Sequence, residues 1–360
     1  MARLGRTNLE VYRLGLGGIP LIKLSPEEAR SIIDASLAGG IDFADTAEGY
    51  GDSEQKLARF LRHDRERKVI ATKSPHRSAA EMAAAIDRSL GRLGTDYIDL
   101  YQVHSLKTRQ ELDRVLAPGG ALEALKQAQR DGKVRFIGVT GHRPSVLTEA
   151  VRTGLFDTVM TAVNVVDRES EAELMPLARQ LDVGIIAMKP VCGGTLDDPG
   201  LGIRFSLDSA VDAMLVGMKS LAEVEANLKT ARAFNPLTEA ERDELLENAR
   251  QLGDGFCRRC EYCQPCPEGL NIPRILWMAN YHRRYAARDP WIEDEYRALD
   301  ATAASCQECA ECEGKCPYDL PIRRMLKDAH RELTPPASLV VKRGLKRMAK
   351  KVLRPRKDIG

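Results

Sequence analysis

No stretch of the 360-residue chain comes near the ~18 consecutive apolar residues that a membrane-spanning helix needs. Charge is nearly balanced. The 54 Lys and Arg against 52 Asp and Glu leave a net +2, too little to mark a nucleic-acid partner, and none is expected. The opening residues Met1-Ala2-Arg3-Leu4-Gly5-Arg6 lack the apolar run of a secretory leader, so the expected location is the cytoplasm. Cysteine is almost missing from the first two-thirds of the chain, where only Cys192 of the 9 is found. The others crowd into 257–266 and 306–316. Without a leader, such runs read as metal or cluster ligands before disulfides.

Apolar residues make up 43% of the chain, enough for one large domain and a small one. Between residues 10 and 230, short apolar β-rich runs alternate with segments of helical period. Strands are expected at Arg13–Gly17, Gly40–Ala44, Lys68–Thr72, Tyr97–Val103, Val134–Val139, Thr158–Val163, Gly184–Met188 and Ala213–Val216. Helices are expected at Ser25–Leu37, Ser53–Leu61, Ala79–Leu93, Ala121–Asp131, Pro144–Arg152, Glu171–Gln180 and Leu221–Ala231. Ser25-Pro26-Glu27-Glu28 supplies a cap, a first-turn proline and early acids. Eight strands alternating with helices over about 220 residues fit an α/β fold, a (β/α)8 TIM barrel. Residues 193–209 are expected to form a loop with one short helix. After residue 235 the pattern changes. Leu237–Leu252 reads as a helix opened by a capping box from Thr238 to Glu241. The expected division is a barrel over 1–235, a small, mainly helical domain over 236–333 and a basic tail over 334–360.

In a barrel, chemistry gathers at the C-terminal ends of the strands. Three successive strand ends here lead to Asp45 and Tyr50, to Lys73, and to His104. Such a group suits carbonyl reduction. Hydride addition at carbon leaves negative charge on oxygen, which then needs a proton. Tyr50 can donate one, and the Lys73 cation lowers the tyrosine from its ordinary ~10 toward the working range. Asp45 pairs with Lys73, and His104 polarises and orients the carbonyl.

The stretch Phe43-Ala44-Asp45-Thr46-Ala47-Glu48-Gly49-Tyr50-Gly51-Asp52-Ser53-Glu54 resembles the aldo-keto reductase signature, Val69–Lys73 its lysine strand and Tyr97–His104 its histidine strand. The resemblance spans residues 1 to about 235. It implies a TIM barrel, a nicotinamide cofactor bound extended without a Rossmann fold, and reduction of aldehydes or ketones. By position it makes Tyr50 the general acid, Lys73 and Asp45 its tuning pair, and His104 the carbonyl-orienting group. It places Gly17 and Gly18, beside Asp45, near the nicotinamide, and Lys189-Pro190 over the pyrophosphate. Gly217, Lys219, Ser220 and Asn227 fall in the segment that grips the adenosine phosphate. The chain also departs from the family. Met160 stands where glutamine is usual, Val163 where an aromatic stacks, and Thr140-Gly141-His142 where a Ser-Asn pair is familiar, which leaves Asn164 to contribute to carboxamide binding. Lys219 favours NADP(H). Glu223, an acid near the 2′-phosphate seat, favours NAD(H).

The second cysteine run, Cys306-x2-Cys309-x2-Cys312-x3-Cys316-Pro317, has bacterial-ferredoxin spacing for [4Fe–4S] ligation. The first, Cys257-x2-Cys260-x2-Cys263-x2-Cys266-Pro267, is one residue shorter in its last gap. Because the proline-flanked cysteine reaches across, one cluster is expected on Cys257, Cys260, Cys263 and Cys316, and the other on Cys306, Cys309, Cys312 and Cys266. Similar text follows both runs, Pro267-Glu268-Gly269-Leu270-Asn271-Ile272-Pro273 and Pro317-Tyr318-Asp319-Leu320-Pro321-Ile322, an internal repeat. The rival reading is zinc held by four thiolates, which come from C-x2-C pairs more often than from triplets. The same region resembles the ferredoxin-type extension of one branch of the family. Cys192 reads as an ordinary buried or loop thiol.

The leading expectation is therefore an NAD(P)H-dependent reductase of a small carbonyl substrate, carrying two [4Fe–4S] clusters. The other is an electron-transfer or redox-sensing protein whose barrel binds nicotinamide with little turnover. Clusters pass single electrons and nicotinamide passes hydride, so three alternatives stand: the clusters are structural, they move electrons to a separate redox partner protein, or a flavin joins the complex. The tail reads as a solvated basic extension, with contact to an anionic membrane surface as its alternative.

Overall fold

A computed structural model of the protein describes residues 1–192, 196, 198–252, 256–258, 261–285, 291–316 and 318–334. Cys260 and the tail from residue 335 lie outside the described residues. The chain divides into two compact units, Met1–Gln251 and a second that begins at Leu252.

The first unit opens with an antiparallel hairpin, β1 (Ala2–Arg3) and β2 (Glu10–Val11). Eight strands follow: β3 (Leu14–Gly17), β4 (Phe43–Asp45), β5 (Val69–Ser74), β6 (Ile98–Val103), β7 (Val134–Thr140), β8 (Thr158–Ala162), β9 (Gly184–Met188) and β10 (Ala213–Gly217). They close into a barrel in sequence order, β10 pairing with β3, and every pairing is parallel. Around them run α1 (Pro26–Ala38), α2 (Ser53–Leu57), α3 (Ala79–Leu93), α4 (Arg109–Leu116), α5 (Ala121–Arg130), α6 (Pro144–Arg152), α7 (Leu174–Gln180), α8 (Pro199–Asp208) and α9 (Leu221–Arg232). The expected (β/α)8 fold is what forms. Strands enclosed on both faces read as nearly continuous apolar runs, and every residue of β5 and β6 is buried. The expected caps also form. Ser25 and Glu28 exchange side-chain-to-backbone bonds at the start of α1.

Two cores hold the barrel. Leu14, Ile33, Ile70, Leu125 and Leu147 belong to the layer between strands and helices. Phe43, Val69, Leu100, Met160 and Ile186 fill the interior together with Leu4, Leu9 and Val11 from the hairpin. The hairpin thus plugs the N-terminal mouth and leaves the opposite mouth for chemistry.

Some elements differ from expectation. The hairpin was not anticipated, because two-residue strands are too short to show alternation. α4 was missed because Arg109–Leu116 is mostly charged and buries only Leu112 and Val115. Residues 199–208 form a full helix, its start capped by Asp198. α10 (Glu239–Leu252) carries the predicted Thr238–Glu241 box, yet nearly all of it groups with the barrel unit rather than with the cysteine region. Arg204 of α8 reaches Glu241 at 3.0 Å and Arg242 pairs with Asp208, which ties the helix to α8.

In the second unit, α11 (Ile272–Tyr285), α12 (Trp291–Arg297), α13 (Glu311–Lys315) and α14 (Ile322–Leu333) surround a separate core that includes Leu270, Ile275, Tyr296, Leu320 and Leu326. The buried Tyr296 hydroxyl accepts from the Ala303 amide at 2.9 Å and bonds His330 Nδ1 at 2.9 Å. The sequence repeat is structural too. Ile272 and Ile322, both buried, each open a helix just after a cysteine run.

Gly5 is where the plug meets the barrel. Its φ is +47°, and a Cβ there would lie 2.3 Å from the Gly184 amide nitrogen. Gly40 has φ +89° with nothing within 4 Å of a Cβ. Both substitutions to alanine carry the left-handed cost of about 1–2 kcal/mol, and only Gly5→Ala adds a backbone collision. Denaturant unfolding followed by circular dichroism should show Gly5→Ala losing more stability than Gly40→Ala. Equal losses would mean that the plug does not bear on the barrel floor.

Candidate functional site

The closed parallel sheet brings the predicted strand-end residues to one mouth. Asp45 ends β4, Lys73 stands one residue before the end of β5, and His104 follows β6 directly. Gly17 and Gly217 end the paired strands β3 and β10, opposite each other, and Lys189 follows β9.

Asp45 and Lys73 are buried and form an ion pair. Lys73 Nζ also donates to the Thr46 carbonyl at 2.7 Å. The second Asp45 oxygen accepts from Gln102 Nε2 at 3.0 Å. Burial pushes the Asp45 carboxyl up from its ordinary value, while the Lys73 charge and the Gln102 bond oppose that rise. Gln102 was not foreseen. It lies two residues before His104 on one strand, so strand periodicity already placed both on the inner face.

Tyr50 sits in the loop between β4 and α2, where its amide donates to the Ala47 carbonyl at 3.0 Å. Lys73 Nζ is 5.1 Å from its ring centroid. The Tyr50 and His104 rings meet edge to face, with centroids 5.8 Å apart. Burial holds the His104 imidazole well below its usual value, and the charges of Lys73, His142, Arg77 and Lys107 add to the effect. His142 is also held well down, first by burial and then by Lys189 and Lys107. Both rings are therefore neutral near pH 7.

The surrounding loop is locked. Ser53 Oγ donates to the Gly18 carbonyl at 2.9 Å and accepts from Thr46 Oγ1 at 2.9 Å. A Cβ on Gly18 would lie 2.6 Å from that Ser53 oxygen, so only glycine fits. Thr72 bonds the buried Glu54 at 2.8 Å.

The remaining predicted cofactor residues divide. Asn164 is buried and its amide is fully used. It donates to Asp167 Oδ2 and the Lys189 carbonyl, both at 3.1 Å, and accepts from the Val166 and Asp167 amides, both at 2.9 Å. Asn164 holds the loops after β8 and β9 together, because no donor or lone pair is left over. Lys189, at φ +58°, begins the turn that Cys192 closes onto its carbonyl at 3.0 Å, and Pro190 beside it is buried. Lys219 is exposed. Its amide donates to Glu223 Oε2 at 2.8 Å, and its ammonium is 3.9 Å from the same carboxylate. Ser220 caps α9 by accepting from the Glu223 amide at 3.2 Å. Asn227 is buried along α9.

In the second unit, the described cysteines surround two cavities. One is lined by Cys257, Cys263 and Cys316. The other is lined by Cys306, Cys309, Cys312 and Cys266, with Cys263 also at its wall. Each cavity takes its last cysteine from the opposite run. Among the described residues, no three His, Cys, Asp or Glu side chains converge as ligands of a single metal ion would. Also among the described residues, no helix is long and apolar enough to cross a membrane.

Fold and mouth together define a (β/α)8-barrel oxidoreductase. Residues 13–202 match the aldo/keto reductase family, and the chain belongs to that family. Residues 256–321 match the 4Fe-4S dicluster domain. The Bacillus subtilis uncharacterized oxidoreductase YqkF is 30% identical over 213 residues, covering 55% of this chain and 67% of the relative. The Arabidopsis thaliana L-galactose dehydrogenase is 26% identical over 305 residues, 69% of this chain and 95% of that protein. Among solved structures, the holo form of an aldo-keto reductase from Bacillus halodurans superposes with a TM-score of 0.60 at 27% identity, covering 69% of this chain and 95% of the other.

Neutral His104 and His142 have a thermodynamic consequence. Below about pH 7 the unfolded chain protonates imidazoles that the folded chain leaves neutral, so the unfolded state binds more protons and stability falls with acidification. The slope is at most about 1.4 kcal/mol per pH unit for each ring. Unfolding measured between about pH 5.5 and about pH 7.5 should give a shallower slope in His104→Gln/His142→Gln than in wild type. Parallel slopes would show that these rings titrate normally in the fold.

Proposed function

We propose that this protein reduces an aldehyde or ketone using reduced nicotinamide, with Tyr50 as the proton donor. The observation that supports this best is the placement of Lys73. Its ammonium is buried, paired with Asp45, and 5.1 Å from the Tyr50 ring centroid. When bound, the dihydronicotinamide supplies a hydride to the carbonyl carbon. The neutral His104 ring donates a hydrogen bond to the carbonyl oxygen, which orients it and draws charge toward it. As charge builds on that oxygen, Tyr50 gives up its phenolic proton and the alcohol forms. The Lys73 cation stabilises the resulting phenolate, and Asp45 keeps Lys73 aimed. Tyr50 is partly open to solvent, so water restores its proton after the step.

Gly17 and Gly18 would leave room for the nicotinamide, the Lys189-Pro190 turn would hold the pyrophosphate, and Gly217, Lys219, Ser220 and Asn227 would hold the adenosine phosphate. We take NADP(H) as the cofactor on the strength of Lys219. NAD(H) is the alternative, because a 2′-phosphate must displace the Glu223 carboxylate that already holds the Lys219 amide. The cavity linings further support two [4Fe–4S] clusters, one on Cys257, Cys260, Cys263 and Cys316 and the other on Cys306, Cys309, Cys312 and Cys266. Neither the barrel chemistry nor the hydride step requires them to pass electrons.

The test is NADPH and NADH oxidation with a panel of aldehydes and ketones by wild type and Tyr50→Phe. Loss of the proton donor should lower kcat by about 10²–10⁴ while cofactor Kd stays near wild type. Full activity in Tyr50→Phe, or no turnover of any carbonyl by wild type, would refute the reading and leave a nicotinamide-binding redox protein in its place.

A further inference from the structure

The two cysteine runs repeat in sequence, but the side chains beside them do not. In the first run Arg258 follows Cys257. In the second, Gln307 follows Cys306. After the closing prolines stand Glu268 in the first run and Tyr318 in the second. Because the cavities draw on both runs, these differences sort into two unlike environments. Arg258 and Tyr318 line the cavity of Cys257, Cys263 and Cys316. Gln307 and Glu268 line that of Cys306, Cys309, Cys312 and Cys266.

Arg258 is held firmly in the first environment. It is only 9% exposed. Its guanidinium lies 4.6 Å from the Phe256 ring centroid and 4.6 Å from that of Tyr318, and Nη1 donates to the Phe256 carbonyl at 2.9 Å. An arginine stays protonated at any working pH. The acid that shares its cavity, Glu261, is exposed, so water screens its field far more than that of a buried guanidinium. In the other cavity Gln307, Glu268 and Cys309 are exposed, and its two cations are open to solvent and tied to acids: the exposed Lys315 pairs with Glu311 at 3.3 Å and the half-buried Arg323 with Glu313 at 2.8 Å, so water and the paired carboxylates offset their charge.

We propose that Arg258 is a potential-setting residue that raises the reduction potential of one cluster alone, the one held by Cys257, Cys260, Cys263 and Cys316, so that the two clusters are electronically unequal. The inference rests on the two-cluster reading above. One-electron reduction adds a negative charge to the cluster and its four thiolates. A fixed buried cation lining the cavity stabilises that added charge more than it stabilises the oxidised form. The Tyr318 stack also anchors the cation to the segment that delivers Cys316, so the charge follows the cross-ligated cluster rather than its own run.

The experiment uses the full-length protein prepared anaerobically, with iron and sulfide quantified and both clusters titrated potentiometrically under EPR. About eight irons per chain establish the starting state. Arg258→Met should lower one midpoint potential and leave the other in place. The expected shift corresponds to at least tenfold weaker reduction, about 59 mV for one electron. Arg258→Lys, which keeps the charge, should recover most of it. If Arg258→Met loads poorly, Arg258→Gln serves as the neutral variant. The inference fails if neither midpoint moves, if both move together, or if the lysine variant behaves like the neutral one. Stoichiometric zinc in place of iron would overturn the two-cluster reading and this inference with it.

Discussion

The barrel is organised around one buried ion pair. Moving a carboxylate and an ammonium out of water is costly, and the cost is recovered only when they face each other and their remaining polar atoms are bonded. Asp45 and Lys73 meet that condition across adjacent strands, with Thr46 and Gln102 taking further bonds. The pair exists because neighbouring parallel strands carry the two charges. β4, β5 and β6 are parallel neighbours whose registers set Asp45 opposite Ala71 and Lys73 opposite Gln102. Removing either charge would strand the other in the barrel interior, so the residues that hold the fold's inner polar layer are also those the proposed chemistry uses.

That layer is framed by dry packing. The hairpin's Leu4, Leu9 and Val11 pack with Phe43, Val69 and Leu100 as one apolar cluster at the barrel floor. At the opposite mouth Tyr50 and His104 stand edge to face, and burial with its cationic neighbours keeps His104 neutral. A neutral imidazole donates a hydrogen bond without carrying its own charge, so the cation of the site is concentrated on Lys73 beside the phenol. The second unit follows a different rule. Its core is small, α11 and α14 each begin just after a cysteine run, and seven described thiols wall two cavities within it.

Much of this was legible in the sequence because parallel strands enclosed on both faces are read almost directly as apolar runs. Gly184–Met188, Ala79–Leu93 and Pro144–Arg152 have their expected bounds. The mouth residues were legible for the same reason, since strand ends fix which side chains share a face. What escaped reading depends on tertiary contact. The hairpin strands exist only against the barrel floor, α4 buries two side chains, and α10 groups with the barrel through Arg204 and Arg242 rather than through any pattern of its own. The bonds of Asn164 to Val166, Asp167 and Lys189 are decided by loop geometry and carry no sequence pattern. Gln102 was overlooked although its strand position pointed inward.

The most direct measurement of the account is the pH dependence of kcat for carbonyl reduction in wild type and Lys73→Met. With the ammonium beside the phenol, the alkaline limb of the wild-type profile should lie below the ordinary tyrosine value of about 10 and move upward when the charge is removed. Superimposable profiles would contradict the claim that Lys73 acidifies Tyr50.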